Sequence, residues 1–126
     1  MVQIIVVGIG GFVGSCVRFL LSKWLTSTLP NFPFGTLFSN VIAALAIGFI
    51  IGIERQTGPI GDKTKVFLTT GLLGGLSTFS TFSMETVKMF EDGKYLTASG
   101  NIGLNLGFSL IFVILGLQLA SLVKGN

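Results

Sequence analysis

"GLLGGLSTFSTFS", residues 71–83, is the stretch on which the fold turns. Gly71, Gly74 and Gly75 come first, then hydroxyls at Ser77, Thr78, Ser80, Thr81 and Ser83, with Phe79 and Phe82 between them. Leu, Ile, Val and Phe dominate the chain on both sides. A glycine weakens a helix by up to about 1 kcal/mol against alanine. Unwound backbone at membrane depth persists only where it is buried in protein or lines a cavity. The glycine part is therefore expected to be a helix break, and the Ser/Thr/Phe part the wall of a polar path. Hydroxyls that bond back to their own helix account for some of this run, but not for one so dense.

The rest of the chain supports a membrane setting. Half of its 126 residues are hydrophobic and a tenth are charged, against roughly a quarter charged in soluble domains. There is no histidine, so a His-based metal site or general base is excluded within one chain. With so few ionisable groups no nucleophile–base pair can be assembled, and an enzyme is not expected. Cys16 is the single cysteine and forms no intrachain disulfide. The net charge of +3 comes from scattered Lys and Arg; this reads as juxtamembrane charge rather than a nucleic-acid surface. The first fifteen residues show neither a basic stretch nor a small-residue cleavage pattern, so the first segment is expected to be retained.

A spanning helix needs roughly 20 mainly apolar residues. Four stretches reach or approach that, at about 4–25, 35–53, 66–90 and 96–122. Gly, Pro and charged residues mark the connectors. The expectation is one domain, 1–126, of four transmembrane helices with both termini on the same side. Glycines four apart, Gly10/Gly14, Gly48/Gly52 and Gly103/Gly107, suit close helix packing. The basic residues divide evenly: Arg55, Lys63, Lys65 and Lys124 on the side of the termini, Arg18, Lys23, Lys88 and Lys94 on the other. Without a bias the chain has no preferred orientation, and two oppositely inserted copies can pair about a twofold axis.

Polar groups inside the membrane usually face a bundle interior or a water-filled path. Asn101, Asn105 and Ser109 recur at steps of four and share one face of the last helix, which reads as wet, with Gly103 and Gly107 on a packing face. In the third helix Thr78, Thr81 and Glu85 form one stripe, and Phe79 and Phe82 form the neighbouring ridge. The only basic groups near this path, Arg18 and Lys88, lie toward helix ends, so no fixed positive charge defines it. The donors left are neutral: the amide of Asn40, hydroxyls, and phenyl edges, which are electropositive at the rim. Such groups hold an anion weakly at several points, as conduction requires. The residues themselves go no further than a narrow polar path suited to a small anion.

"GGFVGSCVRF" (10–19), "GTLFSN" (35–40) and "GLLGGLSTFSTFS" (71–83) together resemble the Fluc or CrcB family of small dual-topology fluoride channels. The resemblance implies an antiparallel homodimer in the cell inner (plasma) membrane, with two fluoride pores that let cytoplasmic fluoride leave down its gradient. It also implies a structural Na⁺ at the dimer centre, held by the backbone carbonyls of Gly74 and Ser77. Phe79 and Phe82 would be the pore rings and Asn40 the pore amide. Thr81 and Ser109 would join the polar track with Ser80; Arg18 would sit at a vestibule, and Glu85 would cap the stripe. The chain departs from the pattern at Val113, where the family often has Thr, and at Ser77, where many members have Thr. The rival readings are a small multidrug exporter, which needs a first-helix carboxylate that is missing here, a proton-coupled transporter using Glu85, and a non-transporting membrane scaffold.

Overall fold

The computed structural model describes residues 1–124. All the regular structure among them is helical: α1 (Val2–Thr28), α2 (Phe34–Thr57), α3 (Asp62–Val66), a π-helical segment (Phe67–Leu73), α4 (Gly74–Leu76), α5 (Ser80–Glu91) and α6 (Tyr95–Lys124). α1, α2 and α6 are each long and apolar enough to cross a membrane. The fourth span is built in pieces from α3 to α5. The architecture is thus four membrane helices with the third broken, in a multi-pass membrane protein.

Local chemistry places the ends. α1 stops two residues before Pro30, because the residue preceding a proline is pushed out of the helical region. α2 closes at Gly58, whose φ of 95° is open to glycine and strained for other residues. α5 ends in a Schellman turn: Gly93, with φ 79°, donates its N–H to the Phe90 carbonyl (3.1 Å), and Lys94 donates to Met89 (2.8 Å). This tight reversal sends the chain directly into α6.

The helices pack as two close pairs. α2 lies on α6: a Cβ at Gly48 would meet the Val113 carbonyl oxygen, one at Gly116 the Leu45 carbonyl oxygen, and one at Gly52 the Ala120 Cβ at 2.5 Å. α1 lies on the third helix, where a Cβ at Gly10 would meet the Phe67 carbonyl oxygen at 2.7 Å and one at Gly14 the Leu72 carbonyl oxygen. Backbone approach of this kind draws on van der Waals contact in lipid, where no hydrophobic drive exists between helices. Ala43, Leu73 and Leu76 form the buried core where the two pairs meet, flanked by Leu21, Ala46, Ile47 and Ile50.

Two expectations about glycine change. Gly71, Gly74 and Gly75 are not the break; the chain stays helical through Leu76 and opens at Ser77, whose φ of −81° and ψ of 154° are extended. Gly71 and Gly75 instead admit α1: a Cβ at Gly75 would meet the Gly11 carbonyl oxygen at 2.7 Å, and one at Gly71 the Val7 carbonyl oxygen at 3.0 Å. Gly103 and Gly107 have open space around them, and Gly116 takes the packing role expected of them. In the first case a missing Cβ serves a neighbouring backbone as readily as it loosens its own helix; in the second, spacing alone does not say which glycines face a neighbour.

Gly14→Ala would force the α1 backbone away from the third helix, whereas Gly8, with nothing near its missing Cβ, accepts alanine. Overpacking of this kind costs about 1–3 kcal/mol. Thermal unfolding in detergent should show a clear loss of stability for Gly14→Ala and a wild-type transition for Gly8→Ala.

Candidate functional site

The break at Ser77 leaves polar backbone inside an apolar protein, and side chains from two helices bind it. Asn40 of α2 pairs with the main chain of Thr78 on both sides of its carboxamide: Oδ1 accepts from the Thr78 N–H at 2.8 Å, and Nδ2 donates to the Thr78 carbonyl at 3.2 Å. Such a two-point pairing replaces the helical bonds that Thr78 has lost. Arg18 of α1 donates from Nε to the Gly75 carbonyl at 3.1 Å. The Thr81 N–H, at the start of α5, is received by Thr78 Oγ1 at 3.2 Å, an N-terminal cap supplied by a hydroxyl.

A groove of about 480 Å³ runs along the break and opens on one side of the bundle. Asn40, Gly74, Ser77, Phe79, Phe82 and Ser109 all line it, so these six expected site residues come together. Among the described residues, no charged side chain borders it. The two phenyl rings stand 5.6 Å apart and tilted by 54°; Phe82 is buried, whereas Phe79 is 72% exposed.

The other expected residues lie outside the lining. Thr81 and Ser80 sit on the first turn of α5, where Ser80 Oγ lies 3.3 Å from Thr78 Oγ1. Arg18 ties α1 to the glycine carbonyl and in that role supports the break. Glu85 borders a second cavity, of about 260 Å³, at one end of the bundle with Lys88, Asp92, Lys94 and Thr97. Val113 does line the main groove, on the α6 wall.

The α6 stripe needs revision. Asn101 and Asn105 are buried, although Asn105 borders the groove with Ser109: Asn105 Nδ2 donates to Asn101 Oδ1, and Asn105 Oδ1 accepts from Asn40, each at 2.9 Å. The two amide hydrogens of Asn40 are therefore both engaged, one by Asn105 and one by Thr78. Sequence reasoning missed Thr69, on the groove wall, and Thr86, which receives Asn101 Nδ2 at 2.8 Å. One hydroxyl among the several of α5, or one of the adjacent pair Thr69 and Thr70, carries no signal of its own; Thr86 gains its meaning only from the facing asparagine.

A broken membrane helix, its opened backbone held by an asparagine and an arginine beside an uncharged, mainly apolar groove with a few polar side chains in its wall, defines a class of small polytopic membrane protein built around a permeation-like cleft. The sequence profile described as "CrcB-like protein, Camphor Resistance (CrcB)" matches residues 5–117. A protein of Clostridium novyi (strain NT) named "Fluoride-specific ion channel FluC" is 46% identical over 124 residues, 98% of this chain and 97% of the relative. One of the same name from Clostridium perfringens (strain 13 / Type A) is 46% identical over 120 residues, 94% of each chain. Another from Paraburkholderia xenovorans (strain LB400) is 42% identical over 122 residues, 97% of each. The chain belongs to the CrcB family.

Asn40→Asp replaces the donor to the Thr78 carbonyl with a second acceptor, so the pairing fails on one side. An unpaired buried group costs about 1–3 kcal/mol. Thermal unfolding in detergent should place Asn40→Asp well below wild type and Ser109→Ala close to it.

Proposed function

We propose that the chain is a fluoride-selective channel that lets cytoplasmic fluoride leave the cell down its electrochemical gradient, working as an antiparallel homodimer. The observation that carries this reading is the groove: the polar side chains in its wall are neutral, Phe79 and Phe82 stand side by side in its lining, and the chain belongs to a family whose relatives are named fluoride-specific ion channels. Polar atoms lining an open groove cannot face hydrocarbon, and a second copy of the chain would cover them. The even division of basic residues permits that copy to insert the other way up. Dual topology and the twofold pair are thus supported by separate properties of one chain.

In this reading Phe79 and Phe82 line the path with electropositive ring edges, and Ser109 supplies a hydroxyl donor on the facing helix. Asn40 would serve the anion by exchanging one of its two present partners for it. Thr81 and Ser80 continue the hydroxyl track along α5, while Arg18 and Glu85 act outside the groove. Weak neutral donors in sequence replace part of the hydration shell without trapping the ion.

A structural Na⁺ fits the break. In a continuous helix the Gly74 carbonyl would receive the Thr78 N–H and the Ser77 carbonyl the Thr81 N–H. Those donors turn instead to Asn40 Oδ1 and Thr78 Oγ1. Two backbone oxygens are left without their usual partners, at residues that line the open groove, and hard cations are held by oxygen ligands. Gly74 and Ser77 would hold the ion, which supplies positive charge where two copies meet.

Fluoride efflux from liposomes carrying the purified protein, with chloride efflux as control, tests the proposal. Fluoride should pass more than about a hundredfold faster than chloride; comparable rates would refute the fluoride reading. Added lysines at residues 58–65 should lock the chain in one orientation. Each locked form alone should be inactive and the opposite pair together active; full activity of a single locked form would refute the antiparallel dimer.

A further inference from the structure

The side-chain hydrogen bonds between α2, α6 and α5 all run in one direction. Asn40 Nδ2 donates to Asn105 Oδ1 at 2.9 Å. Asn105 Nδ2 donates to Asn101 Oδ1 and to the Asn101 carbonyl, both at 2.9 Å. Asn101 Nδ2 donates to Thr86 Oγ1 at 2.8 Å, and Thr86 Oγ1 donates to the Phe82 carbonyl at 2.8 Å. The series starts at the break, through the pairing of Asn40 with Thr78, and ends on the backbone of Phe82. Residues 78–82 are therefore held at both ends by one network.

Two backbone groups set its polarity. The Thr78 N–H can only donate, so Asn40 must turn Oδ1 toward it. The Asn101 carbonyl can only accept, so Asn105 must turn its amide hydrogens that way and leave Oδ1 for Asn40. The amides are thus fixed in orientation, and Thr86 is the terminus: its hydroxyl back-bonds to the carbonyl four residues earlier, which leaves its oxygen free to accept from Asn101. Asn101, Asn105 and Thr86 are 0%, 3% and 6% exposed, so no bulk water stands in for a lost partner.

We propose that Thr86, Asn101 and Asn105 are positioning residues for permeation: the network holds the segment bearing Phe79 and Phe82 at the width that fluoride selection needs. Phe79 is 72% exposed within one chain, so no side chain of that chain encloses it and the backbone beneath sets where the ring meets a second copy. Asn101 and Thr86 do not line the groove and act through the segment they hold. The functional half of this proposal rests on the fluoride reading above; the structural half does not.

Substitutions at Thr86 separate a hydrogen-bonding role from a packing role, because the two predict opposite orders. Valine keeps the shape and loses the hydroxyl, whereas serine keeps the hydroxyl and loses a methyl group. The readouts are fluoride efflux per reconstituted protein, the fluoride-to-chloride ratio, and backbone hydrogen exchange over residues 77–82 by mass spectrometry in lipid nanodiscs. Thr86→Val should lower fluoride efflux by about tenfold or more, lower the ratio, and raise exchange, with Thr86→Ser close to wild type in all three. Thr86→Ala, which differs from Thr86→Ser only by the hydroxyl, gives the same comparison should the valine chain not assemble. Wild-type behaviour of Thr86→Val, or serine as the more damaged variant, would overturn the proposal. A wild type that passes no fluoride would refute the fluoride reading and the functional half with it, while the order of exchange still decides whether the network clamps the segment.

Discussion

The pairing of the Asn40 carboxamide with the main chain of Thr78 is the interaction on which the rest of the structure depends. A helix interrupted inside a membrane leaves amides and carbonyls with no water to satisfy them, each costing several kcal/mol. One asparagine presents an acceptor and two donors in a plane, which matches the donor and acceptor of the one residue that follows the extended Ser77. With that residue satisfied, the chain can leave the helical path at Ser77 and re-enter it at Ser80. Without it, a continuous third helix would be favoured, and no groove would form around Phe79 and Phe82.

The break also adds polar ties between two helix pairs that share one apolar core. α1 lies against the third helix and α2 against α6, both through glycines that let backbones touch. Arg18 reaches from α1 to the Gly75 carbonyl and Asn40 from α2 to Thr78, so polar bonds converge on the broken segment from each half. The π-helical turns just before it widen the helix, as is frequent beside functional sites. Packing, backbone satisfaction and the shape of the groove are then three consequences of one interruption.

Much of this was legible in the sequence because membrane helices leave few choices. The apolar runs and the Gly/Pro connectors indicated four spans, and the Gly10/Gly14 and Gly48/Gly52 spacing indicated where helices touch. The position of the break was not legible, since Gly74 and Gly75 lie next to Ser77 and a glycine signals loosened backbone and close approach alike. The stripe of Asn101 and Asn105 was visible by its period of four, but periodicity identifies a shared face without saying what that face meets. It meets α2 and α5: the two asparagines clamp these helices, and only Asn105 and Ser109 border the groove. Thr86 carried no signal, because its role exists only through Asn101 on another helix. The set of neutral donors already put Asn40 beside the phenyl rings, but its pairing with the main chain of Thr78 had no signal in the sequence.

Backbone chemical shifts of residues 74–82, measured by NMR on the isotopically labelled protein in lipid bilayers, test the central claim most directly. The structure predicts helical shifts through Leu76, extended shifts at Ser77, helical shifts again from Ser80, and a through-space contact between the Asn40 side chain and the Thr78 amide proton. Uninterrupted helical shifts from Gly74 to Phe82, with no such contact, would contradict it.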